Sequence, residues 1–528
     1  MGRLLTSKRV TLWAAVAVWI GVGVIPLCVM LATSLSSTQN YTATLGSART
    51  WVLFRNSLLL ATLTTAVAGA VGVTLGVILA KTDLALRNTL AAIFSLPLLF
   101  PPYILAVGWF EVLGRSGILA HFGGSAVGEA TGRWLFGLPG LVLVLSTAFL
   151  PVVLLLTMTY VRAVNSNLED AARLSSSRAT VLCRITIPLA APGILLSLVL
   201  VFLLAIGEFG APAFLRFDAF PVASFTQFTA FYNFGAATAA ATPLVLVVLM
   251  GLALEQRVLH GKAFQFGWNV RSGGGQIPLR KARTLLGLTV AFTALIVVVV
   301  PLGALMWRGM NLATLREALD RAGNSAVRSV AYAAASATIL SVLGFFLAYL
   351  IHRRAIPGWR WVDAGTLFLF TLPGTVIGLG FIGLWNRPST NWVYATPAML
   401  VGGYVAQYAV IGTRAMVAGF AQASVHLEEA AEIAGAAWFH RVRGILVPLL
   451  WPSILVGWAV TFLFCLRDVT LPLLLAPPGY DTLTARTMTL AANGSPELIA
   501  ALCLLLISLS MIPLGVCGLA SRFWSKAK

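Results

Sequence analysis

The sequence has 528 residues, of which 59% are hydrophobic and only 10% are charged. A soluble domain needs more charge than this to cover its surface, so the composition excludes an ordinary soluble protein and predicts an integral membrane protein. The formal net charge of +19 does not indicate nucleic-acid binding, because the Lys and Arg residues lie in short segments between apolar runs and form no basic domain.

Twelve apolar runs follow one another along the chain, each close to the roughly 20 residues that cross a bilayer as a helix. The first run begins after Arg3, Lys8 and Arg9 and is too long for a cleaved signal peptide, so it is predicted to be the first span. With the N-terminus inside, the inner segments hold more than twice as many Lys and Arg residues as the outer loops, which predicts that both termini are cytoplasmic. The predicted spans are about 11–33, 56–80, 88–111, 137–161, 189–213, 238–256, 284–306, 324–351, 363–385, 394–420, 449–475 and 497–520.

A Ser-Gly-Gly-Gly stretch flanked by basic residues predicts a flexible cytoplasmic linker over residues 261–283. It would separate a first half, residues 1–260, from a second half, residues 284–528, each with six spans. Short motifs recur in the same order in both halves: NSLLLA at Asn56 and NSAVRS at Asn324, then FLLAIGEFGAP and FLFCLRDVTLP. Such ordered repetition predicts an internal duplication. The predicted fold is therefore an all-α membrane protein, built as a pseudo-dimer of two six-helix halves.

Two charged segments interrupt the apolar pattern at matching places in the halves. The first begins LEDAARLSS at Leu168 and the second LEEAAEIAG at Leu427, and each ends at an apolar residue followed by proline. Alanines with acidic residues in the first turn predict a short helix, and Gly435 suits the left-handed residue that lets the chain turn into a second helix. A solvated surface loop is the plainer alternative, but two copies at matching places favour a docking site for a soluble, two-fold partner.

The second segment resembles the EAA loop of the permease subunits of bacterial ABC importers, through Glu429–Ala431, then Gly435, and then Val447–Pro448. The stretches GEFGAP, SLP and PPGYDTLTAR resemble the fused, double-length permeases of the ferric-iron type. The resemblance extends over nearly all of the chain. It implies the architecture of a type I importer permease with one EAA loop per half, at about 165–188 and about 424–448.

The resemblance implies that the first short helix of each loop seats in a groove on a separate ATPase subunit. The implied partners are two copies of a cytoplasmic ABC ATPase, which bind the ATP and Mg²⁺, and a periplasmic or lipid-anchored solute-binding protein. No GxxxxGK[ST] phosphate loop occurs in the sequence, so the chain itself is predicted to be no enzyme and to bind no cofactor. The residues implied in coupling are Glu169, Asp170, Ala171, Ala172, Ser176, Glu428, Glu429, Ala430, Ala431 and Gly435.

The first loop departs from the family pattern at two positions. Asp170 replaces the glutamate of the motif, and Ser176 stands where glycine is expected. A serine costs more free energy than a glycine in a left-handed turn. The first loop is therefore predicted to bend differently from the second, or to couple less strongly.

Ionisable side chains within apolar runs are costly and point to a transport path. Glu208 and Asp468 occupy equivalent places, each four residues before a proline, and form either an acidic gate or two satisfied groups at headgroup level. Arg467 adjoins Asp468 but points to another face, so it is predicted to pair elsewhere or to extend outward. Prolines interrupt the third and ninth spans, where unwound backbone lines a cavity or merely kinks the helix. The candidate path residues are Glu208, Pro212, Asp468, Pro472, Pro97, Tyr103 and Pro373.

The predicted function is the permease of an ATP-driven importer in the bacterial cytoplasmic (inner) membrane. Ferric iron is the implied solute, and thiamine, phosphonates and polyamines are alternatives for the same architecture. A carrier driven by an ion gradient is the alternative of another class, since duplication and charged spans suit it equally. Paired docking loops distinguish the two, because such a carrier has no use for them. Neither a catalytic constellation nor metal-ligand spacing accompanies the two carboxylates, so no catalytic or metal site is predicted.

Overall fold

The computed structural model of the protein describes residues 2–35, 38–259 and 277–513, together with 515 and 518. The described chain is helical and contains no β-strand, which confirms the predicted all-α class. Residues 260–276, which include most of the predicted linker, lie outside the described part of the chain.

Helices follow one another along the whole described chain, because long apolar segments can satisfy their backbone within a membrane only by helical hydrogen bonds. The helices before the linker are Gly2–Trp19, Ile25–Leu35, Thr38–Leu45, Ala48–Lys81, Arg87–Ser95, Pro102–Leu113, Ile118–Gly123, Ser125–Leu135, Leu138–Ala163, Ser166–Arg173, Arg178–Val181, Ile187–Ile206, Gly210–Phe214, Phe220–Thr229 and Phe234–Leu259. Those after it are Ala282–Ala294, Val300–Gly309, Leu312–Ala322, Ser325–His352, Trp359–Thr371, Gly374–Trp385, Asn391–Tyr394, Ala398–Gln422, Val425–Ile433, Trp438–Arg441, Val447–Arg467, Thr470–Leu475, Leu483–Leu490 and Pro496–Ser510.

Nine helical segments of the described chain are long and apolar enough to cross a membrane, or ten if the bent pair Trp359–Thr371 and Gly374–Trp385 is one crossing. The sequence predicted about twelve. The other two predicted spans are helical, but Ala398–Gln422 carries Arg414 among its apolar residues and Pro496–Ser510 is only 15 residues long. The nine segments are Lys8–Ala32, Ala48–Lys81, Pro102–Gly123, Leu138–Ala163, Arg178–Phe214, Phe234–Leu254, Ala282–Gly309, Ser325–His352 and Trp438–Arg467.

Proline breaks the helix in both places where the sequence predicted an interruption. Helix Arg87–Ser95 passes into a short 3-10 turn, and Pro102–Leu113 then begins anew. In the second half, helix Trp359–Thr371 stops before Pro373, and the chain bends by 105° into Gly374–Trp385. A proline lacks the N–H that the helical ladder needs, and it disfavours the α conformation in the residue before it. Backbone groups at these breaks are therefore left for other partners.

The same order of elements occurs twice along the chain. Helix Leu138–Ala163 has its counterpart in Ala398–Gln422. Each is followed by two short helices and then by a π-helical turn, Leu182–Thr186 in the first half and Val442–Leu446 in the second. This order agrees with the predicted duplication, while the boundaries of the two halves stay a prediction.

The first helix of each half packs against the other half. A Cβ atom on Gly108 would lie 2.7 Å from the carbonyl oxygen of Pro301, and one on Gly380 would lie 3.1 Å from that of Pro26. Pro301 belongs to the first span of the second half, and Pro26 belongs to the first span of the first half. Small residues let helix backbones approach closely in membranes. A glycine therefore allows the close helix contact at each of these two places between the halves.

Candidate functional site

A small cavity of about 100 Å³ lies between the two halves, where four helices are interrupted. The proline breaks contribute Pro101 and Pro373 to its lining, and the ends of the fifth and eleventh predicted spans contribute Glu208 and Asp468. Irregular backbone at membrane depth is tolerated where it is buried in protein or lines a cavity. The fold therefore gathers at one place the interruptions and the two charges that the sequence had singled out separately.

Asp468 is held firmly at the edge of this cavity, with 7% of its surface exposed. The helix Val447–Arg467 ends just before it, and its extended backbone turns the chain into the short helix Thr470–Leu475. One carboxylate oxygen accepts a hydrogen bond from the hydroxyl of Tyr408 at 2.6 Å, and the other accepts from the backbone N–H of Leu471 at 3.1 Å. A carboxylate bonded in this way keeps a fixed direction toward the cavity.

Glu208 has the equivalent place in the first half and a similar role at a helix start. Its Oε1 atom accepts from the backbone N–H groups of Gly210 at 3.0 Å and Ala211 at 3.4 Å, at the beginning of the helix Gly210–Phe214. The side chain is only partly buried. Both carboxylates thus accept hydrogen bonds from backbone amides, and both line the cavity. The choice between an acidic gate and two satisfied groups at headgroup level stays a prediction.

Arg467 pairs across the interface between the halves and does not extend outward. Its Nη1 atom donates to the carbonyl oxygen of Leu98 at 2.7 Å, and its guanidinium lies 4.3 Å from the ring centre of Phe464. Leu98 belongs to the 3-10 turn at the first proline break. Arg467 therefore satisfies a carbonyl beside a helix interruption, and it brings a positive charge to the cavity that also holds two carboxylates.

The other candidate path residues lie beside the cavity and not on its surface. Tyr103 is fully buried, and its Cβ atom lies 3.5 Å from the place where Gly210 would carry one. Pro97, Pro212 and Pro472 are buried in the helix segments around the breaks, where they shape the backbone and offer no side-chain contact to the cavity.

Sequence reasoning missed Gln407, which lines the cavity. Its Nε2 atom donates to the carbonyl oxygen of Leu372 at 3.4 Å, next to the second proline break, and its Oε1 atom is buried without a hydrogen-bond partner among the described residues. The sequence did offer a signal, because Gln407 is a polar amide within an apolar predicted span. Burying a polar group without a hydrogen-bond partner costs free energy, so such a residue points to a polar site.

The first cytoplasmic loop is anchored by Glu169, which is 2% exposed. Its carboxylate contacts the Nζ atom of Lys81 at 2.7 Å and accepts from the hydroxyl of Thr186 at 2.6 Å. Lys81 is the last residue of the helix Ala48–Lys81, and Thr186 lies where the helix Ile187–Ile206 begins. The carboxylate therefore ties the loop to two membrane helices.

The second loop is anchored in the same way by Glu428, which is 7% exposed. One oxygen accepts from the hydroxyl of Tyr349 and the other contacts Nη2 of Arg353, both at 2.7 Å. Both partners lie at the end of the helix Ser325–His352, as Lys81 does for the first loop. Glu169 and Glu428 thus face the protein interior and anchor the two loops, while their implied part in coupling stays a prediction.

The remaining residues implied in coupling form an exposed surface on each loop, which we call the loop face. Asp170 and Glu429 are exposed by 59% and 58% of their side chains. Two apolar residues at matching positions, Leu174 and Ile433, are 90% and 88% exposed. Exposed apolar side chains at corresponding places on two loops are typical of a surface that another protein covers. The loop face also includes Ala171 and Ala430, which are exposed, and it borders Ala172 and Ala431, which are half-buried.

The two loops turn differently after their first helix. Gly435 has φ +84°, and hydrogen bonds from Gly435 N–H to Glu432 and from Ala436 N–H to Ala431 close the turn, both at 3.0 Å. This is the Schellman arrangement that glycine favours. Ser176 is not among the described residues with positive φ. The serine therefore avoids the costly left-handed conformation, and the first loop reaches its second helix by another turn.

Comparison with known proteins finds that the chain is similar to components of transport systems. The family model of the binding-protein-dependent transport system inner membrane component matches residues 72–260. The putative ferric transport system permease protein FbpB 1 of Haemophilus influenzae is 24% identical over 399 residues, which are 72% of this chain and 63% of that protein. The ferric transport system permease protein FbpB of Actinobacillus pleuropneumoniae is 23% identical over 422 residues, 76% of this chain and 61% of that protein.

A third relative is similar over a shorter stretch. The spermidine/putrescine transport system permease protein PotC of Escherichia coli is 27% identical over 200 residues, 36% of this chain and 71% of that protein. The chain spans less than two thirds of the length of the two ferric permeases. This multi-span membrane protein is thus similar over most of its own length to ferric transport system permease proteins, and its residues 72–260 match the family of binding-protein-dependent transport system inner membrane components.

Proposed function

We propose that the protein forms the transmembrane pathway of an ATP-driven importer, with ferric iron as its solute. The observation that carries this function is the pair of loop faces, because two matching exposed surfaces suit two copies of one soluble partner. The names of the relatives support the ferric solute. Import of thiamine, a phosphonate or a polyamine by the same architecture is the alternative, and PotC supports the last of these.

The two halves, residues 1–260 and 284–528, each dock one copy of a cytoplasmic ABC ATPase, which carries the ATP and Mg²⁺ and performs the hydrolysis. Leu174 and Ile433 supply the main apolar contact, since fully burying one such side chain is worth about 1.5–3 kcal/mol. The anchors Glu169 and Glu428 transmit movement of the loops to the membrane helices, because each carboxylate joins its loop to the end of a span. The chain lies in the bacterial inner membrane with both termini in the cytoplasm.

The cavity between the halves is the solute path in a closed state. Its carboxylates suit a hard cation, which prefers oxygen ligands, and its walls are helix breaks that can move when the halves rotate. A solute-binding protein delivers the ion to the end of the bundle opposite the loops. An ion-gradient-driven carrier would use the same cavity but would leave the loop faces without a partner.

The decisive experiment is purification of the chain in mild detergent from its native cell, with identification of what accompanies it. We expect a soluble ATPase in a ratio of two to one. A double variant, Leu174→Glu with Ile433→Glu, places two charges in the proposed contact and should release the ATPase. Leu312→Glu is the matched control, because Leu312 is also exposed, at 64%, but follows the outer end of the span Ala282–Gly309 in the proposed orientation, whereas both loops are cytoplasmic. A chain that never accompanies an ATPase and still takes up solute would contradict the importer function.

The solute is tested by uptake in proteoliposomes that contain the complex, ATP and the solute-binding protein. We expect ATP-dependent uptake of radioactive ferric ion and none of thiamine, a phosphonate or spermidine. Uptake that persists without ATP and disappears when a proton ionophore is added would favour the gradient-driven carrier.

A further inference from the structure

A second cavity, of about 770 Å³, opens at the end of the bundle away from the loop faces. The helix Leu138–Ala163 begins beside Phe136, which lines this cavity, and ends next to the first loop. At 1.5 Å per residue the helix separates the two places by roughly 39 Å. The cavity is therefore distinct from the loop faces, and in the proposed orientation it opens to the outside.

Three arginines line this cavity, namely Arg115, Arg133 and Arg216. All three are exposed, and their guanidinium groups have no ion pair or hydrogen bond with any residue that the structure describes. Much of the remaining lining is apolar, with Phe110 and Phe214 among the walls. Three unpaired guanidinium groups around an apolar pocket attract an anion that has a carbon skeleton.

One carboxylate also faces the cavity, and it is available as a hydrogen-bond acceptor. Glu111 is 2% exposed, and its Oε2 atom is held by Nε of Arg308 at 2.9 Å. Its Oε1 atom is buried and has no hydrogen-bond partner in the described chain. A buried acceptor without a donor is costly, so a hydroxyl group on a bound ligand would satisfy it.

The fold does not require the carboxylate of Glu111, because a glycine occupies the corresponding place in the other half. Alignment of the two proline breaks places Gly383 opposite Glu111 and Arg387 opposite Arg115. A Cβ atom on Gly383 would lie 2.8 Å from the ring of Phe234, so an aromatic ring fills the space that the Glu111 side chain has on its own side. A feature present in only one of two similar halves suggests a task of its own.

We propose that the cavity of the three arginines binds a hydroxylated organic polycarboxylate, free or as the ligand shell of a ferric ion. The volume is within the range of about 300–1,000 Å³ that is usual for small-molecule sites, and it is far larger than one inorganic anion needs. Guanidinium groups pair with the carboxylates, the apolar walls contact the carbon skeleton, and Glu111 accepts from the hydroxyl group. Three positive charges disfavour a bare cation here. Binding of the polycarboxylate as the ligand shell of a ferric ion rests on the proposed function, since it means that the ferric ion reaches the membrane as an anionic complex.

The test is isothermal titration of the full chain in nanodiscs of phosphatidylcholine, whose headgroup carries no net charge. The probes are citrate, ferric citrate, inorganic phosphate and tricarballylate, which has the three carboxylates of citrate without its hydroxyl. We expect citrate to bind about tenfold more tightly than tricarballylate and phosphate to bind weakly. Ferric citrate that binds at least as well as citrate supports the ferric form, whereas binding of citrate alone restricts the site to the free anion.

Variants locate the binding in the cavity. Arg133→Gln and Arg216→Asn should each weaken citrate binding about tenfold, the effect of one charge-assisted contact. Asn is chosen for position 216 because that residue has φ +52°, which Asn tolerates. Arg387→Gln is the matched control and should leave binding unchanged. No binding at about 10 mM citrate, an equal loss in Arg387→Gln, or displacement of citrate by phosphatidylglycerol would overturn the proposal.

The outcome is separable from that of the proposed function. A complex that retains its ATPase but binds no citrate overturns the anion site and leaves the importer in place. A chain that binds citrate in the cavity but never accompanies an ATPase overturns the importer and leaves the anion site in place.

Discussion

Replacement of Lys81 by Met is predicted to loosen the first cytoplasmic loop from the membrane helices. Without the ammonium group at 2.7 Å, the buried Glu169 carboxylate keeps, among the residues that the structure describes, only the hydroxyl of Thr186 as a partner. Removing one member of a buried ion pair costs about 3–5 kcal/mol, because the other charge stays buried without compensation. The matched control is Asp170→Asn, since Asp170 pairs with Arg173 at 2.9 Å and 59% of the Asp170 side chain is exposed. Loss of an exposed pair costs at most about 1 kcal/mol.

Amide hydrogen exchange in the helix Ser166–Arg173 measures the difference directly, because exchange follows the free energy of local opening. A cost of about 3 kcal/mol corresponds to a roughly 100-fold faster exchange, since each 1.4 kcal/mol is a factor of ten. We expect this for Lys81→Met and less than about tenfold for Asp170→Asn. The double variant Lys81→Met with Glu169→Gln should recover most of the protection, because it removes both charges. Equal exchange in the two single variants, or no recovery in the double variant, would refute the anchoring role of the pair.

Three further predictions concern the glycines and Arg467. Gly435→Ala should destabilise the second loop by about 1–2 kcal/mol, because residue 435 has a left-handed φ. Ser176→Gly should change the stability of the first loop by less than about 1 kcal/mol. Amide hydrogen exchange in the two loops measures both effects. Gly108→Val should lower the midpoint of thermal unfolding, because its side chain meets the Pro301 carbonyl, while Gly303→Val, with open space around it, should not. Arg467→Met should cost about 1–3 kcal/mol of stability, because it leaves the Leu98 carbonyl without its hydrogen-bond donor. Arg467→Lys should restore part of this stability. An unchanged midpoint of thermal unfolding in Arg467→Met would contradict the contribution of this contact.

The sequence alone was sufficient for the features that each segment determines locally. Apolar runs identified the membrane class and most of the helical segments, because the cost of exposing backbone in lipid acts on every segment separately. Proline at 101, 102 and 373 predicted the two helix breaks, since its missing N–H acts on its own turn. Gly435 predicted a left-handed turn for the same local reason, and its φ of +84° confirms it.

Contacts between distant residues decided the rest. Glu428 and Glu429 are neighbours with the same chemistry, but only Glu428 is buried. Its carboxylate accepts hydrogen bonds from Tyr349 and Arg353, which lie at the end of a helix more than 70 residues earlier in the chain. No local pattern could select between them.

The cavity between the halves also needed the tertiary structure. Arg467 reaches a carbonyl that is 369 residues away in sequence, and Gln407 faces the second break across the fold. Local propensity determines where a helix begins, breaks and ends. Which polar side chain finds a partner in the interior depends on the packing of whole helices, because the cost of an unpaired buried group is settled only when the halves meet.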